Sequence, residues 1–302
     1  MPFDRERFSN LYPFESHWLD VGGARMHYVD EGQGDPVLMV HGNPTWSFYF
    51  RELIRALSPT HRVLAPDHIG CGLSDKPGDG EYHYVLERRV ADLEALLQHA
   101  RVERGLTLVL HDWGGMIGMA MAARHPGRVS RIVLLNTAAF MLPPGKRLPF
   151  RLWLLRHLPL LPALAVRGGN AFAGLATRMA TARGLDPDVA AGLLAPYDSW
   201  ANRIATLRFV QDIPLAPGDA SYALAESTAA ALEQFADHPV LIQWGERDFV
   251  FDGAFLAEWR RIWPQAEVRT YPEAGHYVLE DAREDVVPAV VEFVTGAPAN
   301  EA

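Results

Sequence analysis

The stretch Leu106–Pro126 places a carboxylate at a sharp turn from a strand into a helix. The apolar run of residues 106–110 predicts a buried strand, and the small-residue pattern of residues 114–123 predicts a helix. Asp112 stands between them, followed by Trp113 and two glycines, which is typical of the corner that exposes a catalytic nucleophile. The usual residue at that corner is Ser. A carboxylate, with an ordinary pKa of about 3.9, is already ionised at neutral pH and attacks an sp3 carbon directly.

Two further titratable residues follow predicted strands in the chain order nucleophile, acid, base. Ligands of open α/β sheets bind beyond the carboxyl ends of the strands. Asp248 lies three residues beyond the run PVLIQWG, and His276 follows the last predicted strand. The acid must hold the histidine tautomer and stabilise its charged form. Asn136 ends another strand but is an amide, so we predict the triad Asp112, Asp248 and His276, with Asp252 as the alternative acid.

An aspartate that displaces a leaving group needs hydrogen-bond donors aimed at the negative charge that develops there. Trp113 supplies an indole N–H, and Asn43 supplies an amide NH2 from the loop HGNP after the predicted strand of residues 36–40. If an ester forms on Asp112, His276 can activate water to hydrolyse it. The backbone N–H groups of Asn43 and Trp113 would then hold the oxyanion.

Strands that alternate with helices predict the scaffold for these side chains. The alternation implies an α/β fold with a doubly wound, mostly parallel sheet. The first two strands pair around a turn at Gly22 and Gly23. Further strands are predicted over residues 36–40, 62–67, 106–111, 131–136, 239–245 and 266–272, and helices over residues 47–57, from about 115, over 255–262 and in the C-terminal EDVVPAVVEFV.

Residues from about Phe140 to Pro214 contain no strand-like run and show helical segments separated by prolines. We interpret them as a helical cap inserted after the strand that ends near Asn136, because a roof over an apolar site excludes water. The predicted division is therefore a core of residues 1–139, a cap of residues 140–214 and a second part of the core in residues 215–302.

One cap stretch, LPFRLWLLRHLPLLPALAV at residues 148–166, bears on substrate size. We favour an ordinary amphipathic helix packed on the core. The alternatives are an apolar sleeve for long alkyl chains, or a face for a membrane or a partner.

Composition excludes several classes of protein. The chain has 302 residues, 49% of them hydrophobic, and a formal charge of −9 without a Lys/Arg run, which argues against nucleic acid as a partner. Cys71 is the single cysteine, so no disulfide forms within the chain. No secretory signal or membrane-spanning run is visible, and we expect a cytoplasmic protein. Without a metal-ligand cluster or a Gly-rich phosphate loop, we expect no metal and no cofactor.

The motifs HGNPTW, DHIGCGLSDKP, HDWGG, WGERD and AGHYVLEDA resemble those of the α/β-hydrolase superfamily, in its haloalkane dehalogenase-like branch. The resemblance covers nearly the whole chain. LNTAAF, SWANRIATLRFVQDIPL and DFVFD most closely resemble the β-lactone decarboxylases of bacterial long-chain olefin biosynthesis (OleB-type). One departure is Leu110, which lies two residues before Asp112 at a position where the elbow pattern has a small residue.

The resemblance implies an α/β-hydrolase fold and an enzyme that converts a β-lactone into an alkene and CO2. The first alternative is a haloalkane dehalogenase, which releases an alcohol and halide through an alkyl ester on Asp112, with Asn43 and Trp113 holding the halide. A third is an epoxide hydrolase, an enzyme that protonates the epoxide oxygen with cap tyrosines; Tyr197 and Tyr222 are the tyrosines available for this role. A non-catalytic binding protein of this fold would be expected to have lost part of the triad.

The expected ligand is a small apolar molecule, a long-chain β-lactone or a haloalkane. We take Trp200, Phe140 and Arg203 as candidate cap contacts with it. The sequence leaves open a homo-oligomer, an assembly with other olefin-pathway enzymes, the alkyl chain length and the carbon of the lactone that is attacked.

Overall fold

The computed structural model describes Asp4, residues 6–158 and residues 160–296. Its strands form one eight-stranded sheet in the order β1-β2-β4-β3-β5-β6-β7-β8. The strands are β1 (His17–Asp20), β2 (Arg25–Glu31), β3 (Pro36–Val40), β4 (Arg62–Pro66), β5 (Leu106–Asp112), β6 (Val129–Thr137), β7 (Val240–Gly245) and β8 (Glu267–Tyr271).

Helices cover both faces of the sheet, and a group of them is inserted between β6 and β7. They are α1 (Arg51–Leu57), α2 (Leu86–His99), α3 (Trp113–Arg124), α4 (Phe150–His157), α5 (Ala171–Met179), α6 (Pro187–Leu194), α7 (Ile204–Gln211), α8 (Tyr222–Ala231), α9 (Gly253–Ile262), α10 (Val278–Asp281) and α11 (Arg283–Thr295). A short 3-10 turn precedes α1, and a π-helical turn, Ala163–Gly168, separates α4 from α5. No helix in the described part of the chain is long and apolar enough to cross a bilayer.

Only the first two strands break the parallel arrangement of the sheet. β2 pairs antiparallel with β1 and β4, whereas the pairs from β4 through β3 to β8 are all parallel. Every residue of the central strand β5 is buried. A strand covered on both faces must be apolar on both faces, which explains why its sequence is a continuous apolar run rather than an alternation.

The sheet separates two apolar clusters, and successive side chains of a strand enter opposite clusters. Leu108 and Leu110 of β5 pack in one cluster with α3, while Val109 packs in the other with α1 and α11. Each such side chain stabilises the fold by roughly 1.5–3 kcal/mol through burial of apolar surface. The core therefore fixes the carboxyl ends of the central strands, where the site lies.

The predicted fold class is confirmed, since the sheet is doubly wound and mostly parallel. The predicted helix near residue 115 begins at Trp113, and the segment of residues 47–57 divides into a 3-10 turn and α1. Helices α2 and α8 were not predicted. Between residues 140 and 214 the described residues contain α4–α7 and no strand, as expected for a cap, and the domain boundaries stay a prediction.

Candidate active site

Asp112 lies at the corner between β5 and α3 with an unusual backbone conformation. Its φ of 52° and ψ of −125° are costly for a residue with a side chain, on the order of 1–3 kcal/mol. Close neighbours hold this conformation: the Thr137 hydroxyl donates to the Asp112 carbonyl oxygen. A Cβ at Gly42 would lie 2.0 Å from Asp112 Oδ1, so only glycine fits beside the carboxylate.

The departure at Leu110 has a simple structural explanation. A Cβ at Gly118, in the second turn of α3, would lie 2.4 Å from Leu110 Cδ2. The glycine on the helix thus provides the space that a small residue on the strand would otherwise leave.

Asp112, His276 and Asp248 meet beyond the carboxyl ends of the strands. His276 Nδ1 donates to Asp248 Oδ2 at 2.7 Å, and His276 Nε2 lies 3.5 Å from Asp112 Oδ2. All three residues are buried. Burial disfavours the charged imidazole, but the Asp248 carboxylate and the hydrogen bond to Asp112 outweigh it and raise the pKa of His276 to about 10. Burial would also raise the pKa of Asp112, but the hydrogen bond and charge of His276 lower it overall.

Asn136, which sequence reasoning set aside as an acid, instead holds the acid in place. Its Nδ2 donates to Asp248 Oδ2 at 3.0 Å, and its side chain exchanges hydrogen bonds with the backbone of Gly245. The other Asp248 oxygen, Oδ1, accepts the Val250 N–H at 2.7 Å. Both carboxylate oxygens are therefore fixed. The sequence signal for this role was an Asn at a strand end, where its residue type tolerates the observed φ of 38°.

The alternative acid, Asp252, lies outside the triad. It forms an ion pair with Lys146, and its Oδ1 accepts the Ala254 N–H at the start of α9. Asp252 therefore caps the N-terminus of α9 and pairs with Lys146 of the segment between β6 and β7, and no hydrogen bond within the described ranges joins it to His276.

A second buried histidine, His111, packs against His276 and hydrogen-bonds to its backbone. The rings of His111 and His276 lie 4.6 Å apart, and His111 Nε2 donates to the His276 carbonyl oxygen at 3.0 Å. Burial, with the neighbouring charge of His276, lowers the pKa of His111 to about 3. His111 therefore stays neutral and fixes the loop that carries His276.

Asn43 contacts Asp112 through its backbone and α7 through its side chain. Its N–H donates to Asp112 Oδ1 at 2.7 Å, and its Nδ2 donates to the Thr206 carbonyl oxygen of α7 at 3.0 Å. An amide NH2 carries two protons, so one remains for a ligand. Asn43 Oδ1 is buried and accepts no hydrogen bond from the described residues.

Trp113 is held by an aromatic and a cationic neighbour that the sequence did not reveal. Its ring lies 5.5 Å from that of Phe209 on α7, and the Arg89 guanidinium carbon lies 3.9 Å from the Phe209 centroid and 5.7 Å from that of Trp113. Arg89 is buried and paired with Asp212 at 2.7 Å. Within the described residues the Trp113 indole N–H donates to no protein group, so it is available to a ligand.

The four polar side chains face an apolar cavity of ≈760 Å³ between core and cap. Asn43, Asp112, Trp113 and His276 all line it. No residue of α4 is buried; the helix lines the cavity instead of packing as an ordinary core helix, contrary to the favoured interpretation. The apolar cap residues around it include Leu148, Leu152, Leu154, Leu155, Phe172 and Ile213.

Of the candidate cap contacts, only Phe140 lines the cavity. Trp200 lies outside it, with the Arg167 guanidinium 4.8 Å from its ring. Arg203 donates to the carbonyl oxygens of Tyr197 and Arg167, which joins cap segments to each other. Neither Trp200 nor Arg203 lines the cavity, and both contact other cap segments, so their role as substrate contacts stays a prediction.

The tyrosines that an epoxide hydrolase would need are also elsewhere. The hydroxyl of Tyr197 is buried and donates to the Thr45 carbonyl oxygen at 3.3 Å, and Tyr222 begins α8 away from the cavity. Tyr277 does line the cavity, but it belongs to the loop after His276 rather than to the cap. Within the described residues no group of His, Cys, Asp and Glu is arranged to hold a metal ion.

Comparisons with known proteins agree with this geometry. The family model described as "alpha/beta hydrolase fold" matches residues 35–282. The chain belongs to the α/β-hydrolase family. It is 53% identical to the "Cis-3-alkyl-4-alkyloxetan-2-one decarboxylase" of Shewanella oneidensis, over 94% of this chain and 90% of that protein. It is 33% identical to a haloalkane dehalogenase of Mycobacterium marinum, over 95% of this chain and 97% of that protein.

Among solved structures, a haloalkane dehalogenase from Bradyrhizobium elkani superposes with a TM-score of 0.83 at 26% identity, covering 94% of this chain and 98% of that one. The predicted resemblance is thus confirmed. The Shewanella relative, named as a decarboxylase, is more similar in sequence to this chain than either of these two dehalogenases is.

Proposed function

We propose that the protein converts a cis-3-alkyl-4-alkyloxetan-2-one, a β-lactone bearing two alkyl chains, into an alkene and CO2. The observation that carries the proposal is the buried carboxylate of Asp112 at the floor of the ≈760 Å³ apolar cavity, beside two side-chain donors. The name of the Shewanella relative supports a lactone over a haloalkane. An apolar cavity of this size suits alkyl chains, because their burial is favourable without polar partners.

The first step is displacement at the lactone carbon that bears the ring oxygen. A carboxylate oxygen of Asp112 forms a bond to that carbon, and the carbon–oxygen bond of the ring breaks with its electron pair. The product is an alkyl ester of Asp112 whose β-carboxylate is the former ring carbonyl. The indole N–H of Trp113 and the amide of Asn43 donate to this carboxylate as it develops charge.

In the second step the ester decomposes without water. The bond to the carboxylate carbon breaks to release CO2, its electron pair forms the carbon–carbon double bond, and the bond to the Asp112 oxygen breaks. The aspartate returns as a carboxylate. Attack of Asp112 at the lactone carbonyl, giving a mixed anhydride, is the other route and uses the same nucleophile.

His276 suits this reaction in its charged form. Burial lowers its pKa, but the Asp248 and Asp112 carboxylates raise it to about 10, which favours the imidazolium before an ester forms on Asp112. The decarboxylation needs no activated water, so the imidazolium can stabilise the departing Asp112 carboxylate. Dehalogenation differs, since the ester must be hydrolysed by water that a neutral His276 activates. Ester formation removes the Asp112 charge, which is one of the groups that raise the pKa of His276.

A direct comparison of substrates tests the proposal. The protein is incubated with a cis-β-lactone bearing two long alkyl chains and, separately, with a panel of bromoalkanes. We expect alkene and CO2 from the lactone, no water oxygen in the hydrocarbon, and a higher kcat/KM for the lactone than for any bromoalkane.

The same experiment identifies the dehalogenase alternative. That activity gives alcohol and bromide, and His276→Phe would accumulate an alkyl ester on Asp112 that is visible by mass spectrometry. Bromoalkane turnover at least as efficient as lactone turnover would disprove the lactone proposal, while leaving the carboxylate nucleophile in place.

A further inference from the structure

The cavity opens to solvent between apolar side chains of the cap and of the loop after β7. Phe150, Leu175, Met179 and Phe249 all line the cavity, yet each is also exposed, Phe150 by 71%. An exposed apolar side chain is common on its own, but a contiguous group marks a surface that meets something apolar. The opening of the cavity, which we call its mouth, therefore belongs to such a surface.

The outer side of α4 extends this surface away from the mouth. The rings of Phe150 and Trp153 are stacked with centroids 6.4 Å apart, and those of Trp153 and His157 with centroids 4.7 Å apart. Beyond the helix, Leu160 and Leu161 are exposed by 73% and 66%. We call α4, these two leucines and the exposed residues of α5 the cap face.

The charge of this part of the chain is opposite to that of the whole. The protein has a formal charge of −9, yet residues 141–185 contain seven Lys or Arg and no Asp or Glu. Arg147, Arg151 and Arg178 are exposed, and none forms an ion pair with a carboxylate in the described ranges. Arg151 instead contacts Met179 Sδ at 3.4 Å, which places a cation at the apolar mouth.

We propose that the cap face docks on an anionic lipid surface, with the mouth of the cavity turned toward the bilayer. Aromatic and aliphatic side chains with interspersed arginines are the composition of interfacial segments, which bury their apolar side at the headgroup boundary. The eight residues of α4 are too few to span a bilayer, so the helix lies in the interface. If the proposed function holds, an apolar substrate enters the cavity directly from the lipid and the hydrocarbon product returns to it.

Charge favours lipid over a second copy of the chain. In a twofold symmetric dimer the same patch meets itself, so the unpaired arginines of the two cap faces would confront each other. Anionic headgroups neutralise them, and each Arg near such a surface contributes about 1 kcal/mol, about fivefold in partitioning.

Flotation with vesicles tests the docking without any substrate. The protein is mixed with phosphatidylglycerol-containing vesicles and with phosphatidylcholine vesicles, at low and high salt. We expect binding to the anionic vesicles that weakens with salt. Trp153→Ser should reduce binding several-fold and Arg178→Gln about fivefold, since neither residue lines the cavity but both belong to the cap face.

Matched controls separate the cap face from general surface effects. Trp18 on β1 is exposed to a similar extent as Trp153, and Arg104 is an exposed arginine before β5. Trp18→Ser and Arg104→Gln should bind vesicles as the unchanged protein does. Equal losses in the cap and control variants, or no binding to anionic vesicles, would overturn the proposal. A dimer in solution that Trp153→Ser dissociates would assign the face to a second copy instead.

Kinetics then connect docking to catalysis. In the double variant Trp153→Ser, Arg178→Gln we expect slower turnover of a long-chain lactone held in anionic vesicles and unchanged turnover of a short-chain lactone in solution. Loss of both activities would contradict a surface role for these residues. Vesicle binding without any lactone turnover would instead count against the proposed function and leave the docking intact.

Discussion

The floor of the site, formed by Asp112, Asp248 and His276, differs from the cap face in burial and in hydrogen bonding. At the floor, both oxygens of Asp248 accept hydrogen bonds and both ring nitrogens of His276 face a carboxylate, all of it buried. On the cap face, Phe150 and Trp153 are exposed and Arg151 and Arg178 have no carboxylate partner among the described residues. The chemistry needs fixed groups in a low dielectric, whereas entry of an apolar substrate needs a surface that water solvates poorly.

The largest effect should come from removing the nucleophile at the floor. Asp112→Ala keeps a Cβ at the strained corner and deletes the carboxylate, so we expect a folded protein with no turnover of lactone or bromoalkane. Circular dichroism and product analysis check the two parts. More than trace activity in the pure variant would rule out covalent catalysis by Asp112.

The acid partner should come next. Asp248→Asn leaves the shape of the side chain but removes the charge that supports the His276 imidazolium, and we expect turnover to fall by up to about 10⁴-fold. Asp252→Asn is the matched control, since it removes only the charge that pairs with Lys146, while the amide oxygen can still cap α9. The assignment is wrong if the Asp252 variant loses more activity than the Asp248 variant.

The indole donor should have a smaller effect than either carboxylate. Trp113→Phe keeps the ring between Phe209 and the cavity but loses the N–H. Removal of one such donor typically costs about 3 kcal/mol of transition-state stabilisation, roughly 10²–10³-fold in kcat. Steady-state kinetics on the lactone measure this. Unchanged kcat would show that Trp113 contributes packing alone.

The positions of the triad residues could be predicted because they depend on local pattern and chain order. The apolar runs of buried parallel strands can be located in the sequence. The carboxyl ends of these strands lie at the same edge of the sheet, so polar residues that follow them lie close together. Asp112 ends a strand, and Asp248 follows one, whose apolar run is visible in the sequence. His276 follows β8, whose sequence EVRTY has no such run. The structure places the His276 ring within 3.5 Å of both carboxylates.

The groups that support the triad could not be predicted, because their partners are remote in sequence. Asn136 bonds to residues 109 and 112 positions away, and Phe209 reaches Trp113 from a cap helix. Neither contact follows from a periodic pattern of residues in the sequence. We excluded Asn136 as the acid because an amide carries no charge. Its side chain instead donates a hydrogen bond to Asp248, the residue that does carry the charge.

The cap was harder to predict than the sheet for a physical reason. Its helices pack around a cavity rather than a filled core, so apolar residues do not imply burial there. α4 is rich in Leu, Phe and Trp, yet none of its residues is buried. Trp200 and Arg203, two candidate substrate contacts, bind other cap segments, contacts that no sequence pattern indicates.

The smallest expected effect is that of Phe150→Ala on stability, and its comparison with Phe140→Ala tests this difference between core and cap. Phe140 is buried, with its ring 4.9 Å from that of Trp259, whereas Phe150 is 71% exposed. Phe140→Ala should lower the free energy of unfolding by about 3 kcal/mol, because it removes the contacts with Trp259 and Phe255 and enlarges the cavity that Phe140 lines. Phe150→Ala should change it by no more than about 0.5 kcal/mol. Urea titrations of both variants measure the two values, with equal slopes required for the comparison.

A Phe150 variant as unstable as the Phe140 variant would show that α4 is held as part of the core. The exposed aromatic row would then be structural, and the cap face would lose its main distinction from the floor of the site.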